Sequence, residues 1–318
     1  MFQMKKIGVL GTGTMGAGII QVCAQKGYDV VMRARHESSI EKGLATVKKN
    51  LSKMVAKEKI TQDEADAVLS RIHGSTDINI IADADLIIEA STEEMEAKKA
   101  LFVQLNEICK PEAILATNTS SLSITEIAVA SGRPDKVVGM HFFNPVPAMK
   151  LVEIIPGLTT SEETKNTVIE LAEILGKTPV EVKEGPGFVV NRILIPMINE
   201  GIGIYADGLA SVEGIDTAMK LGANHPMGPL ELGDLIGLDV CLAIMDVLYK
   251  EFGDTKYRAN PLLRKMVRAG KLGRKTGEGF YNYQKELNKK SEQRPAWGAV
   301  FMSGYCPAKV FCEISGLY

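Results

Sequence analysis

The sequence predicts an α/β protein, with a Rossmann-type doubly wound and mostly parallel sheet followed by an all-helical C-terminal domain. A short apolar run at Lys5–Leu10 ends in a glycine-rich turn and continues as a helical pattern. Further apolar runs alternate with helical patterns as far as Val182, as expected for βαβ units that build a parallel sheet. Beyond Gly187 the alternation ceases and long helical patterns follow as far as Phe252.

The composition is typical of a soluble globular protein. Hydrophobic residues make up 45% of the 318 residues and the formal net charge is −2, so we expect no nucleic-acid partner. The five cysteines contain no C-x-x-C pair, so neither a disulfide framework nor a metal site is predicted. Polar residues interrupt the apolar stretch Val189–Ile204, which favours a buried helix over a membrane span. Without a signal-peptide core at the N-terminus, we expect a cytoplasmic protein.

The turn after the first predicted strand carries a dinucleotide-binding pattern. Its glycines make the tight turn, let the backbone approach a pyrophosphate and allow close packing of the helix, whose N-terminus faces the phosphates. The pattern alone is a weak signal, but here a strand precedes it and a helix follows. We therefore predict that a dinucleotide coenzyme binds Gly11, Gly13, Thr14, Met15 and Gly16.

The second predicted strand, Tyr28–Arg33, ends beside the position that sorts NAD from NADP. An acidic residue about 20 positions past the fingerprint would bind the adenosine ribose of NAD. Here that position is Ala34, between Arg33 and Arg35, so no carboxylate repels a 2′-phosphate and two guanidinium groups can bind one. Either NADP is accepted, or NAD binds less tightly with Glu37 as a poor substitute acid.

The next helical pattern, Ile40–Lys57, carries a basic stripe. Lys49, Lys53 and Lys57 recur every four residues and therefore share one helix face. Three ammonium groups in a row suit a phosphorylated ligand, and a solvated helix face is the alternative.

A run of small polar residues follows a later strand. The strand Asp85–Ala90, the helix Glu93–Cys109 and the strand Ala113–Ala116 lead to the sequence Thr117-Asn118-Thr119-Ser120-Ser121. Doubly wound sheets bind ligands at the carboxyl ends of their strands, so we predict that Asn118 contacts the coenzyme. Ser120 is either a ligand contact or a turn residue.

The stretch from Val137 to Glu153 is predicted to form a hairpin. Asn144, Pro145 and Pro147 separate two apolar runs, and folding about Val146 and Pro147 brings His141 opposite Glu153. A carboxylate in that place would hold the imidazole in one tautomer and raise its basicity, as a general base requires. A core histidine bonded to a nearby acid is the alternative.

The break at Glu184–Gly187 divides the chain. We predict an NAD(P)-binding Rossmann domain over residues 1–185, a helical substrate-binding and dimerisation domain over residues 186–284, and an atypical tail over residues 285–318. Helices are expected at Phe188–Tyr205, Val212–Leu221 and Leu230–Phe252. Their apolar faces exceed what a small domain needs to cover itself, which predicts a homodimer. Asn191 lies early in the first helix on an apolar background, so we expect a buried amide that points at the crevice.

Five motifs, in chain order, together resemble the 3-hydroxyacyl-CoA dehydrogenase family, and within it most closely the bacterial enzymes that act on 3-hydroxybutyryl-CoA. The resemblance spans about Lys5 to Tyr283, and the tail beyond has no counterpart. The motifs are Gly11–Gly16, Ala116–Ser121, Gly139-Met-His-Phe-Phe-Asn-Pro145, Pro186-Gly-Phe-Val-Val-Asn-Arg192 and His225-Pro-Met-Gly-Pro229.

The resemblance implies an NAD- or NADP-dependent oxidoreductase that interconverts (S)-3-hydroxyacyl-CoA and 3-oxoacyl-CoA. By position, His141 matches the family's catalytic base and Glu153 its partner, while Ser120 and Asn191 match substrate contacts. Glu93 and Lys98 match residues near the nicotinamide ribose. Lys53 and Lys57 match a basic pair that meets the phosphates of CoA.

Two other functions stay open at this point. A relative on the same scaffold that oxidises a free hydroxy acid or sugar acid would not need the lysine stripe. A non-enzymatic dinucleotide-binding protein would bind the coenzyme without turnover, and the residues His141, Glu153, Ser120 and Asn191 argue against it.

Overall fold

The computed structural model describes residues 4–284, in which eight strands form one sheet. The strand order is β3-β2-β1-β4-β5-β6-β7-β8. Neighbouring strands are parallel except for the antiparallel pair β6 and β7. The strands are β1 (Lys6–Leu10), β2 (Asp29–Arg33), β3 (Ile72–Ser75), β4 (Leu86–Glu89), β5 (Ile114–Thr117), β6 (Val137–Phe142), β7 (Leu151–Pro156) and β8 (Thr178–Glu181).

Six helices occur between or after these strands as far as β8. They are α1 (Thr14–Gln25), α2 (Glu37–Val55), α3 (Gln62–Ser70), α4 (Met95–Ile108), α5 (Ile124–Ala130) and α6 (Glu162–Ile174). Along β2, Val30 and Met32 belong to one apolar core together with Ile20 of α1, whereas Val31 belongs to a second core with Phe102 of α4. Successive strand residues point to opposite faces, so helices cover both sides of the sheet. The predicted fold class is confirmed.

Five further helices follow β8 in the described part of the chain. They are α7 (Val190–Ala206), α8 (Val212–Gly222), α9 (Pro229–Ile236), α10 (Leu238–Phe252) and α11 (Pro261–Arg268). The chain forms two compact units: residues 4–200 with 241–260, and residues 201–240 with 261–284. The predicted division at residue 185 stays a prediction, and the predicted tail, residues 285–318, lies outside the described residues.

The helical region departs from the sequence prediction at one glycine. The stretch Leu230–Phe252 is two helices, because Gly237 between them has φ +108°, a conformation that side-chain-bearing residues rarely adopt. In the first half of the chain, helix α3 was not predicted from the sequence, although Thr61 and Glu64 form a complete capping box at its start.

Neither a membrane-crossing helix nor a cluster of metal-ligating side chains occurs within residues 4–284. No helix there is long and apolar enough to span a bilayer. No group of three or more His, Cys, Asp or Glu side chains in the same range could hold a metal ion.

Candidate active site

The sheet topology brings four chain segments to one edge. Strands β1, β4, β5 and β6 are parallel neighbours, with Leu10 paired to Glu89, Glu89 to Thr117, and Thr117 to Gly139. The turns that follow β1, β4 and β5 therefore leave the sheet at the same edge, and His141 lies two residues further along β6. In open α/β sheets this edge is where ligands bind.

The hairpin of β6 and β7 holds the candidate base. His141 and Glu153 are register partners, and His141 Nδ1 lies 2.8 Å from Glu153 Oε2. Both side chains are buried. Because Nδ1 is engaged with the carboxylate, Nε2 is the ring nitrogen left to exchange a proton with a ligand. The predicted juxtaposition is present, while the catalytic role stays a prediction.

The second oxygen of Glu153 holds the start of α7. Glu153 Oε1 accepts hydrogen bonds of 3.1 Å from the backbone N–H groups of both Val189 and Val190. Helix N-termini present unpaired N–H groups and favour a negative charge nearby. Two aromatic rings flank the imidazole, with Phe143 at 4.5 Å and Phe188 at 5.6 Å between ring centroids. The dyad is thus fixed by a helix end and by apolar contacts.

The structure brings together Ser120 and Asn191, the two residues that the family resemblance assigns to the substrate. Asn191 is buried, and its Nδ2 donates to the backbone oxygen of Ser120 at 3.2 Å. Glu93 Oε1 accepts from the Ser120 amide at 2.7 Å, from the Ser120 hydroxyl at 2.9 Å, and from Thr119 Oγ1 at 2.7 Å. Glu93 therefore orders the turn that carries Ser120.

Lys98 forms a buried ion pair with Glu89 and also lies close to Glu93. Lys98 Nζ lies 2.6 Å from Glu89 Oε2 and 3.6 Å from Glu93 Oε2, and Lys98 and Glu89 are only 2% and 0% exposed. Glu89 also accepts hydrogen bonds from Ser91 and Thr117. Burial raises the pKa of the Glu89 carboxyl, but the Lys98 ammonium and the two hydrogen bonds from Ser91 outweigh burial, so the pKa lies below its usual value.

The glycine turn has the geometry that a pyrophosphate requires. A Cβ on Gly11 would lie 2.5 Å from the Ala90 oxygen, and a Cβ on Gly16 only 1.9 Å from the Gly11 oxygen, so both positions exclude side chains. Gly13 has open space around it and is the N-cap of α1, where no side chain caps the helix. The first turn of α1, with Thr14 and Met15, therefore offers backbone N–H groups, and these residues fit a dinucleotide.

The end of β2 carries the three residues that were predicted to sort NAD from NADP. Ala34 is buried, Arg33 donates through Nε to the Thr76 oxygen at 3.3 Å, and Arg35 is exposed. The Arg35 side chain makes no hydrogen bond or ion pair with any described residue, which leaves its guanidinium available to an anion. Asn118 lies at the same sheet edge but uses its side-chain oxygen to accept the Phe142 amide at 2.8 Å.

Within the described part of the chain, Lys53 and Lys57 of the lysine stripe make no contact with the predicted catalytic residues. Lys53 is exposed in the last turn of α2, and Lys57 is exposed beyond its end, since the helix stops at Val55 and Glu58 has φ +54°. No contact among residues 4–284 joins either lysine to His141, Ser120 or Asn191.

Sequence reasoning missed Glu89, Phe143 and Phe188. A signal for Glu89 was present, because an acid at the end of the apolar run Leu86–Ile88 is costly unless it is paired. The two aromatic rings gave no comparable signal, since apolar residues beside a histidine are also typical of a core.

Comparison with known proteins identifies the family. The NAD-binding domain of 3-hydroxyacyl-CoA dehydrogenases matches residues 6–185, and the C-terminal domain of the same family matches residues 187–283. The chain is 62% identical over 280 residues to 3-hydroxybutyryl-CoA dehydrogenase of Clostridioides difficile, covering 88% of this chain and 100% of that protein. It is 44% identical over 289 residues to the mitochondrial hydroxyacyl-coenzyme A dehydrogenase of Homo sapiens, covering 88% and 92%.

A solved structure agrees with these relatives. The (S)-3-hydroxybutyryl-CoA dehydrogenase PaaH1 of Ralstonia eutropha superposes with a TM-score of 0.84 at 51% identity, over 88% of this chain and 99% of that one. Because both domains of one family match in order and span nearly all described residues, the chain belongs to the 3-hydroxyacyl-CoA dehydrogenase family.

Proposed function

We propose that the protein interconverts (S)-3-hydroxybutyryl-CoA and acetoacetyl-CoA, or similarly short acyl-CoA thioesters, in fatty acid or butyrate metabolism. The main support is the hydrogen bond of 2.8 Å between His141 Nδ1 and Glu153 Oε2, which lies at the same sheet edge as the glycine turn. The relative of 62% identity is named 3-hydroxybutyryl-CoA dehydrogenase, and one of 56% identity is named probable 3-hydroxybutyryl-CoA dehydrogenase, which supports the short acyl chain.

In the oxidative direction, His141 Nε2 takes the proton of the 3-hydroxyl group while C3 loses a hydride. NAD or NADP, which the glycine turn at Gly11–Gly16 would hold, would supply the hydride acceptor. Glu153 stabilises the imidazolium that forms, because its carboxylate already bonds Nδ1. In the reductive direction, the imidazolium returns the proton to the oxygen at C3.

Ser120 and Asn191 orient the substrate in this scheme. Asn191 uses one N–H on the Ser120 oxygen, so its second N–H and its amide oxygen are free to bond the substrate. The Ser120 hydroxyl, which donates to Glu93, can still accept a hydrogen bond. Such positioning lowers the entropic part of the barrier.

Replacing the candidate base tests the proposal. We expect His141→Gln to lower kcat for acetoacetyl-CoA reduction by about 10²- to 10⁴-fold, the usual contribution of a general acid or base. Turnover is followed as coenzyme oxidation, and coenzyme affinity, measured by fluorescence titration, should stay close to that of the wild type. His73→Gln, an exposed histidine on β3, is the control. A His141→Gln protein with wild-type turnover would refute the assignment.

The coenzyme preference depends on the end of β2. We infer that Arg35 binds the 2′-phosphate of NADP, because it is exposed and the acid typical of NAD enzymes is replaced by Ala34. Arg35→Ala should lower kcat/KM with NADPH by about tenfold, the value of one charge-assisted hydrogen bond. The same assay with NADH is the internal control and should change less than twofold. An equal loss with both coenzymes would contradict the inference.

The two lysines are proposed to attract the phosphates of coenzyme A. Replacing both Lys53 and Lys57 by Ala should raise KM for acetoacetyl-CoA by about tenfold at low ionic strength, and by less at high salt, because exposed charges are screened. Acetoacetyl-pantetheine, which lacks the nucleotide phosphates, provides the matched substrate control. If KM for acetoacetyl-CoA does not change, the stripe is only a solvated helix face.

We also propose a homodimer formed through the second compact unit. Leu209 and Leu221 in that unit are 73% and 82% exposed, and association would bury such side chains. Light scattering at micromolar concentration should give twice the mass of one chain, and Leu221→Glu should reduce it. Leu158→Glu, at an equally exposed leucine of the first unit, is the control. A monomeric wild-type protein would exclude the dimer.

A further inference from the structure

The segment Glu184–Asn191, here called the belt, connects the sheet to α7. At its first residue, Glu184 Oε1 accepts hydrogen bonds from Ser123 Oγ at 2.7 Å and from the Thr125 amide at 2.9 Å. The second oxygen, Oε2, accepts from Thr125 Oγ1. One half-buried carboxylate therefore satisfies three donors at the start of α5, the helix that follows the Ser120 turn.

The other end of the belt is tied to the candidate active site. The amides of Val189 and Val190 donate to Glu153, and the side chain of Asn191 donates to the Ser120 oxygen. The belt and the segment Ser120–Thr125 are thus joined at both ends, once through Asn191 and once through Glu184. Together they form a closed ring of chain.

Between its two ends the belt makes a sharp bend. Gly187 has φ +72° and Phe188 has φ +51°, and left-handed conformations are uncommon for residues with side chains. This bend turns the Phe188 ring into the core, where it is 4% exposed and packs against His141. A residue held in this conformation needs fixed flanks, and Glu184 fixes the flank before the bend.

We infer that Glu184 is a positioning residue for the reaction proposed above. Its hydrogen bonds fix the first residue of the belt. The belt in turn positions the Phe188 ring, the two amides that bond Glu153, and Asn191. Its carboxylate bonds Ser123 and Thr125, and among the described residues it makes no hydrogen bond with His141 or with the glycine turn. Loss of this anchor should therefore disturb turnover and acyl-CoA binding while leaving the coenzyme site intact. Misplacing reacting groups by about 1 Å costs roughly 10²-fold in rate.

Glu184→Gln is the variant that tests the inference. The amide keeps the size of the side chain, but its NH2 group cannot accept the Thr125 hydroxyl hydrogen bond. We expect kcat for acetoacetyl-CoA reduction to fall by about tenfold or more, with KM for the coenzyme within twofold of the wild type. Glu126→Gln is the matched control, since Glu126 is an exposed acid in the same first turn of α5 whose side chain pairs with Lys99.

A double-mutant cycle tests whether Glu184 acts through α5. Thr125→Val removes the hydroxyl that bonds Glu184 and should lower kcat as well. If the two residues act through one contact, the double variant should lose little more than either single variant, so the effects on kcat are not additive. All kcat values are measured below the melting temperature of every variant. If the loss in kcat of the double variant equals the product of the two single losses, the inference is overturned.

Hydrogen exchange gives a readout that does not depend on turnover. In Glu184→Gln the Val189 and Val190 amides should exchange faster, whereas a peptide covering β1 should not change. Unchanged exchange at both amides would overturn the inference even if kcat fell. The proposed function fails separately, if the wild type itself does not reduce acetoacetyl-CoA. If the wild type and the Glu184→Gln variant are equally active, the inference about Glu184 is wrong but the proposed function stands.

Discussion

The carboxylate of Glu153 is the contact on which the site depends. It is buried, and a buried carboxylate is tolerated only when its oxygens are paired. One oxygen bonds the imidazole of His141 and the other bonds two amides at the start of α7. The tautomer of the base and the place of α7 are therefore set by one side chain. Since Asn191 follows directly, the group proposed to hold the substrate is fixed relative to the base.

The sheet explains why residues from distant parts of the chain act together. The chain adds β2 and β3 on one side of β1 and then returns to add β4, β5 and β6 on the other, so the switch point lies between β1 and β4. Parallel strands end at one edge, which gathers the glycine turn, Glu89, the Ser120 turn and His141 there. The antiparallel strand β7 then supplies Glu153 across from His141, a placement that another parallel strand would not give at this spacing.

Local patterns of the sequence predict some of these features and not others. The register of His141 with Glu153 was predictable because both lie equally far along the chain from Pro147. The hydrogen bonds that the Ser120 and Thr125 amides donate to Glu93 and Glu184 were not predictable, because they join segments that only the folded sheet brings together. Helical spacing likewise placed Lys57 on α2, whereas the left-handed residue Glu58 shows that the helix has already ended.

The buried pair of Glu89 and Lys98 is better explained by function than by stability. Replacing a buried ion pair by apolar residues of similar size is often neutral or stabilising, so the fold alone does not require these charges. Their geometry gives a different reason, because Lys98 also lies 3.6 Å from Glu93, the acid that orders the Ser120 turn. Glu89 holds the ammonium group in place, and the ammonium group limits where Glu93 can turn. The buried ion pair thus fixes the orientation of Glu93 at the sheet edge that carries the candidate active site.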